Sequence, residues 1–350
     1  MSNRWPGGII RKTPVTPAGP YQTGAASGVW SLADASYWTK QGLWPIAGNI
    51  ADGTFGIFAL GINSSYTYLT TRDKYTYSGC AVSAGTAATV ASYVGSAAGN
   101  STTGIFALGN TVGNTRVTTR NKYTYVGCVV SAGTAASAAS SCGSAAGNST
   151  VGIFALGTTT AVPCGVTTRD KYTYSGDVVS AGGAATAASS AGSATGNSTV
   201  GIFALGNVAG TGRVTTRNKY TYSGDVVSAG GAATVATQRG SAAGNSTIGI
   251  FALGSPSGCG CRSTTRNKYT YSGCVVSAGG AATAASLYGS AAGNSTVGIF
   301  ALGDTATAGC GSTTRDKYVY SGCVVSAGGA ATAVSFGGSA ASNGITGITL

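Results

Sequence analysis

The sequence predicts an all-β repeat protein assembled from four-stranded units. Three observations carry this expectation: a hexapeptide that recurs at near-constant spacing, a glycine content far above average, and short apolar runs separated by Asn-Ser and Ser-Gly turns. Gly56-Ile57-Phe58-Ala59-Leu60-Gly61 returns at Gly104, Gly152, Gly201, Gly249 and Gly298, at intervals of 48, 48, 49, 48 and 49 residues. Such a period belongs to solenoids and propellers. Glycine makes up 58 of 350 residues, without a collagen-like triplet, and 43% of the chain is apolar. An ordinary glycine share is about 7%, so the excess points to tight turns and closely approaching backbones rather than disorder.

Residues 1–43 stand outside the repeat and form an N-terminal arm, Pro/Gly-rich from Trp5-Pro6-Gly7-Gly8 to Ser27 and denser from Gly28-Val29-Trp30-Ser31-Leu32 onward. Trp5, Trp30, Trp38 and Trp44, the four tryptophans of the chain, lie in it or at its edge. A large apolar side chain left in water forfeits roughly 1.5–3 kcal/mol, so the arm is expected to dock on the repeat domain or on another chain. Residues 44–350 are the repeat domain. Its first copy places strands over Gly53 to Leu60, Thr70 to Tyr77 and Cys80 to Gly85, and Gly95-Ser96-Ala97-Ala98-Gly99-Asn100 opens the next. The Ala87-Ala88-Thr89-Val90-Ala91 connection is too short to stand as a helix.

Four strands in 48 or 49 residues match one propeller blade. The motifs then resemble kelch repeats: Gly-Ser-Ala-Ala-Gly-Asn looks like the inner strand, Gly-Ile-Phe-Ala-Leu-Gly the second, Asp-Lys-Tyr-Thr-Tyr the third with its Tyr, and Val-Val-Ser-Ala-Gly the fourth. The fold expected is a kelch-like β-propeller of four-stranded blades. The outer two strands occur six times and the inner pair seven, counting Ile46 to Gly61 and Gly338 to Leu350. That count favours seven blades over six, the seventh completed by the C-terminal pair and strands from the arm, which would leave no open sheet edge.

Asn3 to Lys12, Ala26 to Leu32 and Gly42-Leu43-Trp44-Pro45 also resemble openings of tailed-phage tail-fibre and other virion proteins, and Asp-Lys-Tyr-Thr-Tyr-Ser-Gly-Asp with Gly-Asn-Ser-Thr is similar to the same group. The resemblance implies a non-enzymatic virion protein, assembled in the host cytoplasm. Residues 1–43 would hold other virion proteins, a host-surface ligand such as a glycan would be the external partner, and a homotrimer is one expected state. A purely structural capsid-decoration or tail protein is the alternative.

Composition narrows the chemistry. The chain has 20 Lys and Arg, eight acidic residues that are all Asp, and no His, for a net charge of +12. A copper centre of the kind some kelch propellers carry needs imidazole, so no metal, cofactor or catalytic residue is expected. Twelve of the cations sit in the recurring Thr-Thr-Arg-Asp/Asn-Lys-Tyr motif, spread around the repeats instead of clustered as a nucleic-acid groove would require. They read as a solvated cationic stripe, with Arg72 and Lys74 on the strand face opposite Tyr75 and Tyr77, whose expected role is packing between blades. Asp73, Asp170 and Asp316 exchange with Asn121, Asn218 and Asn267, which suits a hydrogen-bonding position better than a proton donor. No apolar run of about 18 residues appears, and the proline- and cation-rich opening does not read as a secretory signal. The nine cysteines do not imply a disulfide framework: Cys80, Cys128, Cys274 and Cys323 share a position with Asp177 and Asp225, and Cys259-Gly260-Cys261 with Cys310 reads as a loop disulfide or a soft-metal site.

Two segments vary strongly between copies. One is the loop after Leu-Gly, beginning at Ile62, Asn110, Thr158, Asn207, Ser255 and Asp304. The other is the dipeptide Tyr93-Val94, Ser141-Cys142, Ser190-Ala191, Gln238-Arg239, Leu287-Tyr288 or Phe336-Gly337. In an up-and-down blade both emerge on one face, and the constant Asn-Ser-Thr and Ser-Gly turns on the other. Tyr93, Arg116, Arg213, Gln238, Arg239, Arg262, Leu287, Tyr288 and Phe336 are therefore the candidate ligand-binding residues.

Overall fold

The computed structural model describes residues 54–162, 164–256, 261–305 and 311–344. The arm with Trp5, Trp30, Trp38 and Trp44 lies outside the described residues. Among those described there is no α-helix, and the main strands form six four-stranded antiparallel sheets. In the second sheet Ser96–Gly99, Thr103–Ala107, Arg120–Thr124 and Val129–Gly133 lie side by side in that order. Gly99 stands opposite Gly104, Phe106 opposite Asn121, and Val130 opposite Tyr123. The next copy keeps this register with Gly147 opposite Gly152 and Phe154 opposite Asp170.

The first sheet is assembled from both ends of the described chain. Phe55–Ala59, Arg72–Thr76 and Ala81–Gly85 are completed by Ser339–Ser342, with Ile57 opposite Ala341. The Phe55 amide donates to Asn343 Oδ1 at 3.0 Å, and the Tyr77 hydroxyl donates to Ser342 Oγ at 2.8 Å. The C-terminal strand expected to begin a seventh unit thus sits in the first sheet. No seventh four-stranded sheet occurs among the described residues.

Strand alternation explains how each sheet meets its neighbour. Ile105 and Phe106 point to opposite faces, and both are buried. Ile105 packs with Phe154, Tyr172 and Tyr174 of the third sheet, while Phe106, Tyr123 and Tyr125 receive Ile57 of the first. Equivalent clusters join the remaining neighbours, and Ile299 of the sixth sheet packs with Phe58, Tyr75 and Tyr77 of the first. Each fully buried side chain of this kind contributes roughly 1.5–3 kcal/mol. The expected packing role of the Tyr pairs agrees with these contacts. The opening glycine of the hexapeptide makes room for them: a Cβ on Gly104 would lie 2.8 Å from the Tyr125 hydroxyl.

The arginines overturn one expectation. Arg72, Arg120, Arg169, Arg217, Arg266 and Arg315 do occupy the face opposite the Tyr pair, but that face is interior, and each residue is 1% exposed. Arg72 lies 4.5 Å over the Phe106 ring and donates through Nη2 to Asn121 Oδ1 at 3.1 Å. Arg120 does the same over Phe154, reaching Asp170 at 2.7 Å. A hydrogen-bonded guanidinium on an aromatic face tolerates burial that a bare charge would not. These cations therefore tie sheets together and are not a solvated stripe. Lys122 and Lys171 stay partly exposed, paired with Asp177 and Asp225 at 2.8 and 2.9 Å.

The constant Asn-Ser-Thr turn also acts between sheets. Asn100 Oδ1 accepts from the Thr102 and Thr103 amides, and its Nδ2 donates to the Ser149 carbonyl of the next copy at 3.0 Å. Asn148, Asn197 and Asn245 repeat the contact with Ser198, Ser246 and Ser295.

Candidate functional site: a hydrogen-bonded ring under variable side chains

The second residue of each variable dipeptide has a left-handed backbone: φ is +49° at Val94, +55° at Cys142, +54° at Ala191, +60° at Arg239, +55° at Tyr288 and +65° at Gly337. This conformation turns each amide toward the equivalent residue of the preceding copy. Cys142 donates to the Val94 carbonyl at 2.9 Å, Ala191 to Cys142 at 2.8 Å, Arg239 to Ala191 at 2.7 Å and Tyr288 to Arg239 at 2.9 Å. Gly337 donates to Tyr288 at 2.8 Å and Val94 to Gly337 at 2.8 Å, which returns the series to its start.

Glycine would adopt this φ at least cost, yet it occupies the position only at Gly337. A left-handed residue with a Cβ costs roughly 1–2 kcal/mol. The contrast with Gly61, Gly109, Gly157, Gly206, Gly254 and Gly303 is informative. Those are also left-handed, but glycine is kept in all six, because a Cβ on Gly157 would lie 2.4 Å from the Cys142 carbonyl oxygen. At the ring, five of the six copies carry a side chain despite the strain.

The other variable segments pair around this ring. Ser92–Tyr93 lies antiparallel to Asn110–Thr111, with Tyr93 opposite Asn110, and that strand pairs in turn with Thr115–Arg116. The dipeptide of one copy thus meets the loop of the next, and Leu287 opposite Asp304 repeats the arrangement.

Ring residues from all six copies line one shallow pocket of about 60 Å³. Val94, Cys142 and Ala191 make one side, and Arg239 and Tyr288 the other, with the Arg239 guanidinium 4.6 Å over the Tyr288 ring. Tyr93 leans over Gly337, where an added Cβ would lie 1.9 Å from its ring. Its centroid is 6.0 Å from Tyr288, 5.8 Å from Phe336 and 6.2 Å from Tyr68. Burial pushes the Cys142 thiol above its ordinary value, against a hydrogen bond to Ser141 and the nearby charges of Arg239 and Arg116. It is a neutral wall at pH 7 and not a thiolate nucleophile. Burial likewise raises Tyr93 and Tyr288.

Compared with known proteins, the chain matches no family model and no curated sequence. The reading of its function therefore rests on the site itself. Tyr93, Arg239 and Tyr288 come together at the ring, whereas the other candidates have local partners. Arg116 Nε donates to Ser141 Oγ at 3.1 Å, and Arg213 Nη1 to the Pro256 carbonyl at 2.6 Å. Gln238, with its amide oxygen turned to the guanidinium, accepts from Arg213 Nε at 3.2 Å. Arg262 holds both oxygens of Asp304 at 2.9 and 3.0 Å. Leu287 and Phe336 are 6% and 7% exposed and support the surface from beneath.

Sequence reasoning placed Val94, Cys142, Ala191 and Tyr68 in the variable segments but left them out of the candidate binding residues. The invariant glycine that follows every ring position, Gly95 in the first copy, was the available signal for an unusual backbone there. No group of three or more His, Cys, Asp or Glu able to hold a metal occurs among the described residues. Cys261 is disulfide-bonded, and Cys80, Cys128, Cys142, Cys164, Cys274 and Cys323 are free thiols.

Proposed function

We propose that this chain is a six-bladed kelch-like β-propeller that acts as a non-enzymatic recognition module, with its ligand bound at the variable mouth around Arg239. The six inter-sheet clusters and the Arg315–Asp73 contact between the last and first sheets support six blades and a closed ring. One observation carries the recognition reading: non-glycine residues occupy a strained left-handed position in five of six copies, and their side chains converge on one pocket. Strain held where glycine would relieve it marks positions kept for their side chains.

In this reading the module belongs to a phage virion, where the arm of residues 1–43 joins it to other virion proteins and the mouth meets a host-surface ligand. Replacing Tyr93, Arg239 and Tyr288 by Ser, Asn and Asn should abolish binding of the full chain to host cells while its β circular dichroism stays unchanged. Undiminished binding by that variant contradicts the reading.

A purely structural role in a capsid or tail has one observation in its favour. Asn100, Asn148, Asn197 and Asn245 bond to the next copy, so the constant face needs no ligand on the opposite face to explain the difference between them. In that case wild-type chain and variant bind cells equally poorly, and both assemble into particles.

A further inference from the structure

Every described arginine except one has a hydrogen-bond acceptor. Six are buried against Asp or Asn, Arg116 meets Ser141 and Thr158, Arg213 meets Pro256, and Arg262 meets Asp304. Among the described residues Arg239 alone has only an aromatic face, that of Tyr288 at 4.6 Å. Asp304, close enough to influence Tyr288, is already held through both oxygens by Arg262 and does not neutralise it.

The amides of the six ring residues are each committed to a neighbouring carbonyl, which leaves the Arg239 guanidinium as the charged donor at the pocket. A guanidinium held over a ring has its position set before binding and keeps its in-plane N–H groups free for a planar anion. Across the pocket, Val94, Ala191 and the neutral Cys142 thiol form a small apolar wall suited to C–H groups, and Tyr288, with Tyr93 packed beside it, supplies an aromatic edge. The pocket is shallow, about 60 Å³, so it seats one edge or substituent of a ligand and not an extended segment.

We infer that the mouth takes a carboxylate-bearing sugar unit, with the carboxylate on Arg239 and the apolar side of the sugar ring against Val94 and Ala191. The inference rests on the recognition reading above and narrows it to an acidic saccharide. The net charge of +12 would add long-range attraction to a polyanionic glycan.

The test is titration of the full chain with glucuronate, glucose, acetate and inorganic phosphate, followed by ligand-observed NMR. Glucuronate should saturate, with glucose, acetate and phosphate each at least about tenfold weaker. Arg239→Asn, whose side chain tolerates a left-handed backbone, should lose at least about tenfold for glucuronate while its melting temperature holds. Equal binding of glucose, acetate or phosphate, an unchanged Arg239→Asn affinity, or no saturation by glucuronate overturns the inference. Cell binding by the wild-type chain separates the two claims. Cells bound through the mouth with no glucuronate binding would remove the acidic sugar and leave the recognition reading standing.

Discussion

Arg315 donates through Nη2 to Asp73 Oδ2 at 2.7 Å, with both side chains fully buried and the two residues 242 positions apart in the sequence. Asp73 also accepts from the Thr332 amide at 3.0 Å and from its hydroxyl at 2.5 Å. Burial lowers the Arg315 pKa, and the hydrogen bond and charge of Asp73 oppose that shift. Asp73→Ala should therefore destabilise the fold by about 3–5 kcal/mol, since it strands a buried cation. Asp73→Asn should cost less than about 1.5 kcal/mol, because Asn218 already serves Arg169 in the same geometry, accepting at 3.0 Å and donating to Thr186 Oγ1 at 2.8 Å. Urea denaturation of the two variants measures the difference, and equal losses would contradict this account.

High pH should unfold the protein in one step. Burial raises the pKa of the twelve core tyrosines, to about 12 at Tyr123, Tyr269 and Tyr318 and further at the others. A folded pKa above the unfolded value near 10 means the stabilisation is complete below pH 10 and is lost as pH rises beyond it. Arg72, Arg169 and Arg217, which face Asn, act in the opposite sense: burial lowers them to about 10, so stability from them grows as pH rises above 10. Each group changes stability by about 1.4 kcal/mol per pH unit in its window, and the tyrosines outnumber these arginines fourfold. Total stability is of order 5–15 kcal/mol, so phenolate absorbance and loss of β circular dichroism should coincide within about one unit above pH 10. Phenolate absorbance from more than the six tyrosines outside the pairs, appearing without unfolding, would contradict burial of the Tyr pairs.

Much of this fold was legible in the repeat. The four strands of each copy follow from the period, and the Asp/Asn exchange at residues 73, 121, 170, 218, 267 and 316 correctly marked a hydrogen-bonding position. Alternation placed Arg72 opposite Tyr75 but could not say whether that face meets water or another sheet, because period two carries no information about neighbours. The pairing of Ser339 with Ala59 was hidden for a similar reason. A degenerate strand shows that it is a strand, not which distant edge it completes. The ring was hidden most deeply, since φ at Val94 or Arg239 leaves no mark in residue type beyond the glycine that follows.

Relief of ring strain should trade stability against recognition. Ala191→Gly removes a left-handed Cβ, worth roughly 1–2 kcal/mol, and adds unfolded-state entropy of roughly 0.5–1 kcal/mol, so it should raise stability by up to about 1 kcal/mol. Arg239→Gly should gain similarly and lose ligand. Gly157→Ala should do the reverse, losing more than about 2 kcal/mol, because its Cβ would meet the Cys142 carbonyl oxygen at 2.4 Å and disturb the hydrogen-bonded cycle. Melting temperatures of the three variants order them, and a stabilised Gly157→Ala would remove the distinction between the two left-handed positions.

The final test addresses how the first and last sheets are joined. A chain ending at Gly337 loses Ser339–Ser342, which exposes the Phe55–Ala59 edge and removes Ala341 from the cluster of Ile57, Phe106 and Tyr125. An apolar edge with unpaired amides is a template for association with another chain. The truncated protein should therefore unfold at lower urea with a broadened transition and form soluble aggregates visible by light scattering. A synthetic peptide spanning residues 338–344 should restore the monomer in a saturable manner, since it can add back the missing strand through the same backbone pairs. A scrambled peptide should not, because register places Ala341 and not a larger side chain opposite Ile57. If the truncated chain is instead a stable monomer indifferent to the peptide, the strand at residues 339–342 is not what holds the two ends together, and six-bladed closure through it fails.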